Sequence, residues 1–187
     1  MINIFFYQAG IFIFFYFLGK KLTTKINSIL KLNLNISRIY LNFLLSLFVL
    51  SIIPLFLNFF LPINNEVVIF IFFILIFWIF FSLKINRDDV INILILTVLS
   101  LFLLPLVINS EIGHDAGLYH IPFQTWIKTY KITFGLSNLH SRYALTSGYD
   151  YLSSIFWFKN FFTFKSILQS AYLVLFISFF FNQINKR

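Results

Sequence analysis

Residues 67–83 read VVIFIFFILIFWIFFSL, seventeen positions with almost no polar atom. At about 1.5 Å per residue they reach roughly 26 Å as a helix, close to the roughly 30 Å hydrocarbon layer of a bilayer. No alternation of polar and apolar positions offers a face to water, so the run predicts a membrane-spanning helix. Short polar turns flank it at 62–66 and 84–89, and beyond them lie further apolar runs at about 40–61 and 90–108. Pro54 falls inside the first of these as an expected kink and Pro105 near the end of the second. A run at about 2–18 precedes them. A fifth, at about 161–181, is interrupted in its first half by Lys165 and Gln169.

The whole composition agrees with that reading. Of the 187 residues 60% are hydrophobic, 29 are Phe and only 11% are charged, more apolar surface than a water-soluble domain of this size can hide. The expected fold is an all-α integral membrane protein with about five transmembrane helices, forming a single membrane domain over 1–187 with no soluble domain. The excess of Phe, Ile, Asn and Lys reads as compositional bias, not as an aromatic cofactor box. There is no cysteine, which excludes a disulfide framework and a thiolate metal site. A removable signal peptide is not expected, since the N-terminus lacks a basic region ahead of its apolar run.

The formal net charge of +8 would suggest nucleic acid in a soluble protein. Here most cations flank apolar runs, the placement that the positive-inside rule and anionic head groups produce, so no nucleic-acid partner is expected. The 19–39 connection carries Lys20, Lys21, Lys25, Lys31 and Arg38 with no acid, whereas 62–66 carries Glu66 and no cation. The 84–89 turn adds Lys84 and Arg87, and the tail adds Lys186 and Arg187. Alternate connections are thus basic, which predicts N-out/C-in topology in the inner (plasma) membrane, with the 109–160 loop extracytoplasmic. Lys128, Lys131, Arg142 and Lys159 run against that bias on the outer side. Cations kept there are candidates for binding something, though long loops are translocated regardless of charge.

That loop is the polar exception in the chain. Residues 109–150 hold all three histidines, three of the six acids and three of the fourteen Lys/Arg. Gly113 and Gly117 bracket His114 and Asp115, suggesting a turn just beyond the fourth span. A helix over 118–131, with Pro122 in its first turn, would place Tyr119, Phe123, Trp126 and Tyr130 on one face. His120, Gln124, Lys128 and Lys131 would share the opposite face, making an interfacial amphipathic helix. Ser147-Gly-Tyr-Asp150 has the form of a capping box that would start a second short helix.

Asp115 is the leading catalytic candidate: an acid at the mouth of a spanning helix can have a raised pKa and serve as a general base. It could equally ligate a divalent metal with His114 and His120, although their spacing matches no standard helical ligand pair. The plain alternative is that all of these are solvated loop residues. Arg142 is either a phosphate clamp, because a guanidinium offers two parallel donors, or a head-group anchor. Trp126, Trp157 and the tyrosines read as a membrane-interface belt rather than as stacking platforms.

The stretch Asp115-Ala-Gly-Leu-Tyr-His120, followed by Trp126-Ile-Lys128 and Gly135-Leu-Ser-Asn-Leu-His-Ser-Arg142, resembles the loop of an uncharacterised family of bacterial polytopic membrane proteins with a D-x-G-L-Y-H … G-L-x-N-L-H-x-R pattern. That family in turn resembles the GT-C-type membrane glycosyltransferases. The similarity covers about 30 to 40 residues of the loop. The resemblance implies a sugar donor on a polyprenyl phosphate or diphosphate, a lipid-bilayer setting and Asp115 as active-site acid. His120, Lys128, His140 and Arg142 would then bind substrate or phosphate. GT-C enzymes normally have more than five spanning helices, so this chain is expected to be the N-terminal part of a larger protein. Their catalytic acid also often belongs to an acidic pair, whereas Asp115 follows His114. Other readings are a transporter or flippase component, an O-antigen ligase or polymerase, or a non-catalytic membrane protein.

Overall fold

The structure is a computed structural model that describes residues 2–81, 84–109, 116–139, 141–144, 147–156 and 164–184. All regular elements among them are helical: α1 Ile2–Leu30, α2 Ile39–Asn58, α3 Asn65–Phe80, α4 Arg87–Ile108, α5 Ile121–Thr129, α6 Leu136–Leu139, α7 Gly148–Ile155 and α8 Phe164–Ile184. A wide π-type turn, Ala116–His120, leads into α5, and a tight helical turn, Ser141–Ala144, follows α6.

Helices α1, α2, α4 and α8 are long and apolar enough to cross a membrane. Residues 67–80 of the apolar run lie in α3, whose 16 residues reach about 24 Å. Half of the most apolar window of α1 is buried against only 22% for α4, so α1 is central and α4 turns most of its surface outward. Phe102 on α4 is 75% exposed, a side chain made for contact with lipid.

The first helix runs beyond the apolar stretch at about 2–18. The helix begun at Ile2 continues to Leu30, so Lys20, Lys21 and Lys25 lie on α1 rather than in a loop. Nothing between Leu18 and Leu30 breaks it: Gly19 is a single tolerated position and Lys, Leu and Thr propagate a helix. It stops at Lys31, which adopts the left-handed conformation (φ 53°) that ends many helices. Asn27 then holds the returning chain, donating from Nδ2 to the Leu34 carbonyl and accepting the Leu34 N–H at 3.0 Å.

The chain divides into two compact units. The first comprises Met1–Phe48, Ile74–Asn109 and Ser166–Arg187. Its core gathers Phe12, Phe15, Tyr16, Leu18, Phe43 and Leu96, with Phe43 meeting Phe12 and Phe15 edge to face at 5.9 and 5.7 Å. α1 packs along α4, and Gly19 lets α1 approach α2 so closely that any Cβ there would overlap the Asn42 backbone. Polar ties cross the apolar packing. Gln8 donates to Ser170 at 3.2 Å, Thr23 to Asn42 at 3.0 Å, and Asn92 to both Tyr16 and the Ser37 carbonyl at 2.9 Å.

At the start of α4, Asn86 and Asp89 form a capping box. The same Asp89 carboxylate accepts from Tyr16 at 2.8 Å and from the Lys20 ammonium at 2.6 Å. Charge-counting places Lys20 in the 19–39 connection. The length of α1 corrects this, because it brings Lys20 onto a buried carboxylate inside the helical bundle.

The second unit comprises Val49–Phe73 and Ser110–Lys165. Its hub is Asn58, the last residue of α2, which is almost fully buried. Its amide donates to the carbonyls of Leu61, Ile127 and Tyr130, while its oxygen accepts from Tyr151 at 3.3 Å. Backbone bonds from Ile63 to Ile127 (3.0 Å) and from Ile132 to Asn58 (2.8 Å) complete the clamp. One side chain thus fastens the end of α5 and the face of α7 to the end of α2.

A polar site built on α5 and α7

The expected cap at Ser147 is present. Helix α7 begins behind Ser147, whose backbone N–H and hydroxyl donate to Asp150 Oδ2 at 3.3 and 3.0 Å. An acid in the first turn also complements the positive end of the helix dipole. This leaves Oδ1 for tertiary contacts. It lies 2.9 Å from His120 Nδ1 and accepts a long bond from Gln124 Nε2 at 3.5 Å. Gln124 in turn accepts from the Ser153 hydroxyl at 3.3 Å. The carboxyl side chain is only 3% exposed whereas the imidazole is 52% exposed.

The chemistry follows from those contacts. An ionised carboxylate can only accept, so Nδ1 carries a proton and the tautomer of His120 is fixed. The neutral ring then presents a lone pair at Nε2, and the protonated ring a second N–H whose charge Asp150 balances. The group is an oriented imidazole at the border between the unit's interior and its surroundings.

Lys128, two turns further along α5, donates to Asn65 Oδ1 at 3.0 Å. Burial pushes its ammonium down to about 8 from the usual 10.5. Burial, and then the charge of Asp150, raise the Tyr151 hydroxyl. Beside these groups a cavity of about 360 Å³ is walled by Phe123, Trp126, Tyr143 and Tyr151, with the Asn58 amide among its polar groups.

The facing expected of the 118–131 helix is corrected. α5 is nine residues long and buries Gln124 together with Phe123 and Ile127, so Gln124 points inward and does not stand on an outer polar face. The wide turn through 116–120 takes Tyr119 and His120 out of the 100° spacing, and within α5 the Asp150 and Ser153 side chains make a polar interior for the glutamine. Trp126 and Tyr130 do share a face, their rings 4.8 Å apart, and Pro122 sits in the first turn as expected.

Among the described residues the structure brings His120 to Asp150 and Lys128 to Asn65. Arg142 lies on the Ser141–Ala144 turn. His114, Asp115 and His140 lie outside the described residues, as does Trp157. Among the described residues no three His, Asp or Glu gather as a metal site. Sequence reading treated Asp150 only as a helix cap and missed Asn58, Tyr151 and Ser153 altogether. The Ser147-x-x-Asp150 spacing was the one available signal, since it places a carboxylate at a fixed point on α7.

These observations define a class: an all-helical, multi-pass membrane protein, one of whose two compact units carries a polar site. A family model described as a domain of unknown function (DUF8201) matches residues 1–187, and the chain belongs to that family. No curated protein and no solved structure matches it.

Proposed function

We propose that the chain is a GT-C-like membrane glycosyltransferase component that takes its sugar from a polyprenyl phosphate in cell-envelope glycan assembly. The observation that carries this reading is the His120–Asp150 pair: an exposed imidazole, five residues after Asp115 in the D-A-G-L-Y-H motif, is oriented by a buried carboxylate. A loop that only joins two spans has no need of such a device. The reading takes the topology as N-out/C-in with five spans, α3 included, and the polar unit on the outer face of the plasma membrane.

In this mechanism Asp115 accepts the proton of an acceptor hydroxyl as its oxygen attacks the anomeric carbon with inversion. The bond from that carbon to the lipid phosphate breaks, and the phosphate departs with the electron pair. His120 in its protonated form, Lys128, His140 and Arg142 meet the charge gathering on the phosphate oxygens. The test is to incubate the full chain in vesicles with a panel of polyprenyl-phosphate sugars and follow release of polyprenyl phosphate. Release from at least one donor, lost in Asp115→Asn, supports the reading. No release and no binding from any of them removes it.

A carrier is the second reading, favoured by the Lys20–Asp89 pair within the first unit. Buried ionisable pairs in spanning helices commonly mark ion or substrate pathways. Asp89→Asn would then abolish uptake or exchange in vesicles while leaving sugar-phosphate cleavage unchanged.

A further inference from the structure

The first unit contains a cleft of about 670 Å³ beside the C-terminal half of α1, a volume usual for small-molecule sites. Four lysines line it: Lys20, Lys21, Lys25 and Lys84. Lys20 is matched by Asp89, and the Lys21 ammonium sits 5.4 Å from the centre of the Trp78 ring. Lys25 and Lys84 are exposed and have no carboxylate partner among the described residues. The nearest acid to the opposite wall is Asp88, which accepts from the Ser37 hydroxyl at 3.3 Å. Positive charge therefore exceeds negative around the cleft.

The wall facing those lysines is preorganised. Residues 34–37 have no regular structure, yet three asparagine amides pin them: Asn27 on Leu34, Asn42 on the Ile36 carbonyl at 2.8 Å, and Asn92 on the Ser37 carbonyl at 2.9 Å. Side chains from α1, α2 and α4 thus converge on one short segment, and the Asn35 side chain accepts the Ser37 N–H at 3.0 Å. Head-group anchoring by scattered lysines would not require a fixed wall. The rest of the lining mixes polar Thr24, Ser28 and Asn86 with apolar side chains: Phe17 on α1 and Ile79 on α3 are buried, while Leu34 and Ile36 on the pinned segment are half-buried.

A cationic rim beside partly open apolar side chains suits an amphiphile better than a free anion, which would leave Leu34 and Ile36 uncovered. We propose that this cleft seats the phosphate of an anionic membrane lipid, with Lys25 and Lys84 on the phosphate oxygens and an acyl chain against Leu34 and Ile36. The lysine count assigns this end of α1 to the cytoplasmic side, where the leaflet is rich in anionic lipids. The proposal is independent of the glycosyl-transfer reading.

The test is native mass spectrometry of the detergent-extracted full chain with dioleoyl phosphatidylglycerol or dioleoyl phosphatidylcholine, and with inorganic phosphate as competitor. The expected result is preferential retention of the glycerol lipid, roughly thirty-fold weaker in a Lys25→Gln, Lys84→Gln double variant. Lys31→Gln, outside the cleft, should leave it unchanged, and millimolar phosphate should not displace the lipid. Equal retention of the two lipids would overturn the proposal, as would an equal loss in Lys31→Gln, which would mark a diffuse charge effect. Displacement of the lipid by phosphate would overturn it too and assign the cleft to a soluble phosphate compound. Both substituted lysines are exposed, so folding should survive their exchange.

Discussion

His120 Nδ1 and Asp150 Oδ1 lie 2.9 Å apart across thirty residues of chain, and the same carboxylate caps the helix that carries it. The two roles use different oxygens. Asp150→Asn keeps a carbonyl acceptor for one of them but loses the charge that orients and balances the imidazole. Sugar transfer should fall about ten- to a hundred-fold, the usual effect of removing a group that orients a functional histidine. Asp150→Ala also removes the cap and should cost a further 0.5–2 kcal/mol or about that in stability, read by thermal unfolding in detergent. Equal transfer in wild type and Asp150→Asn would show the pair to be structural only.

Under the proposed glycosyl-transfer reading, Lys128 links pH to both stability and donor binding, with opposite signs. An unfolded lysine titrates near 10.5, but burial here favours the neutral amine above about 8. Between those values the unfolded chain binds more protons, so stability should rise with pH from about 8 to about 10.5. Donor binding should weaken over the same range as the ammonium is lost, seen as a rising KM. Lys128→Arg, charged throughout, should flatten the KM limb. A KM independent of pH in wild type would remove Lys128 from the phosphate site.

At Gly19 the backbones of α1 and α2 pass with no room for a side chain. Gly19→Ala adds a Cβ that overlaps the Asn42 backbone, which cannot swing aside as a side chain could. The expected loss is about 1–3 kcal/mol, measured as a lower unfolding temperature. An unchanged temperature would mean that the two helices separate easily there.

Lys31 ends α1 with a left-handed backbone that only glycine adopts without cost. Lys31→Gly should therefore stabilise the protein by up to about 1 kcal/mol, again read by thermal unfolding. Lys31→Val should do the reverse, since β-branched residues tolerate that conformation worst.

The spanning helices were legible because continuous apolar runs leave no other solvent for them: α2 and α4 fall within a few residues of the expected 40–61 and 90–108. The cap at Ser147 was legible because it is local, four residues that satisfy one another. Gln124 was not, because its partners Asp150 and Ser153 lie 26 and 29 residues away and an isolated helix gives a glutamine no reason to face inward. Lys20 misled for the related reason that charge-counting treats every lysine as solvated. Its partner Asp89 becomes visible only once α1 and α4 are side by side. Local and compositional signals carried the elements, and long-range polar pairing made the site.

The most direct measurement is the single-turnover rate of sugar release from a polyprenyl-phosphate donor by wild type, Asp115→Asn and His120→Gln, in the same vesicles. The account predicts a fall of about two to four powers of ten in Asp115→Asn with folding intact, and a smaller fall in His120→Gln. Full activity in Asp115→Asn would contradict it.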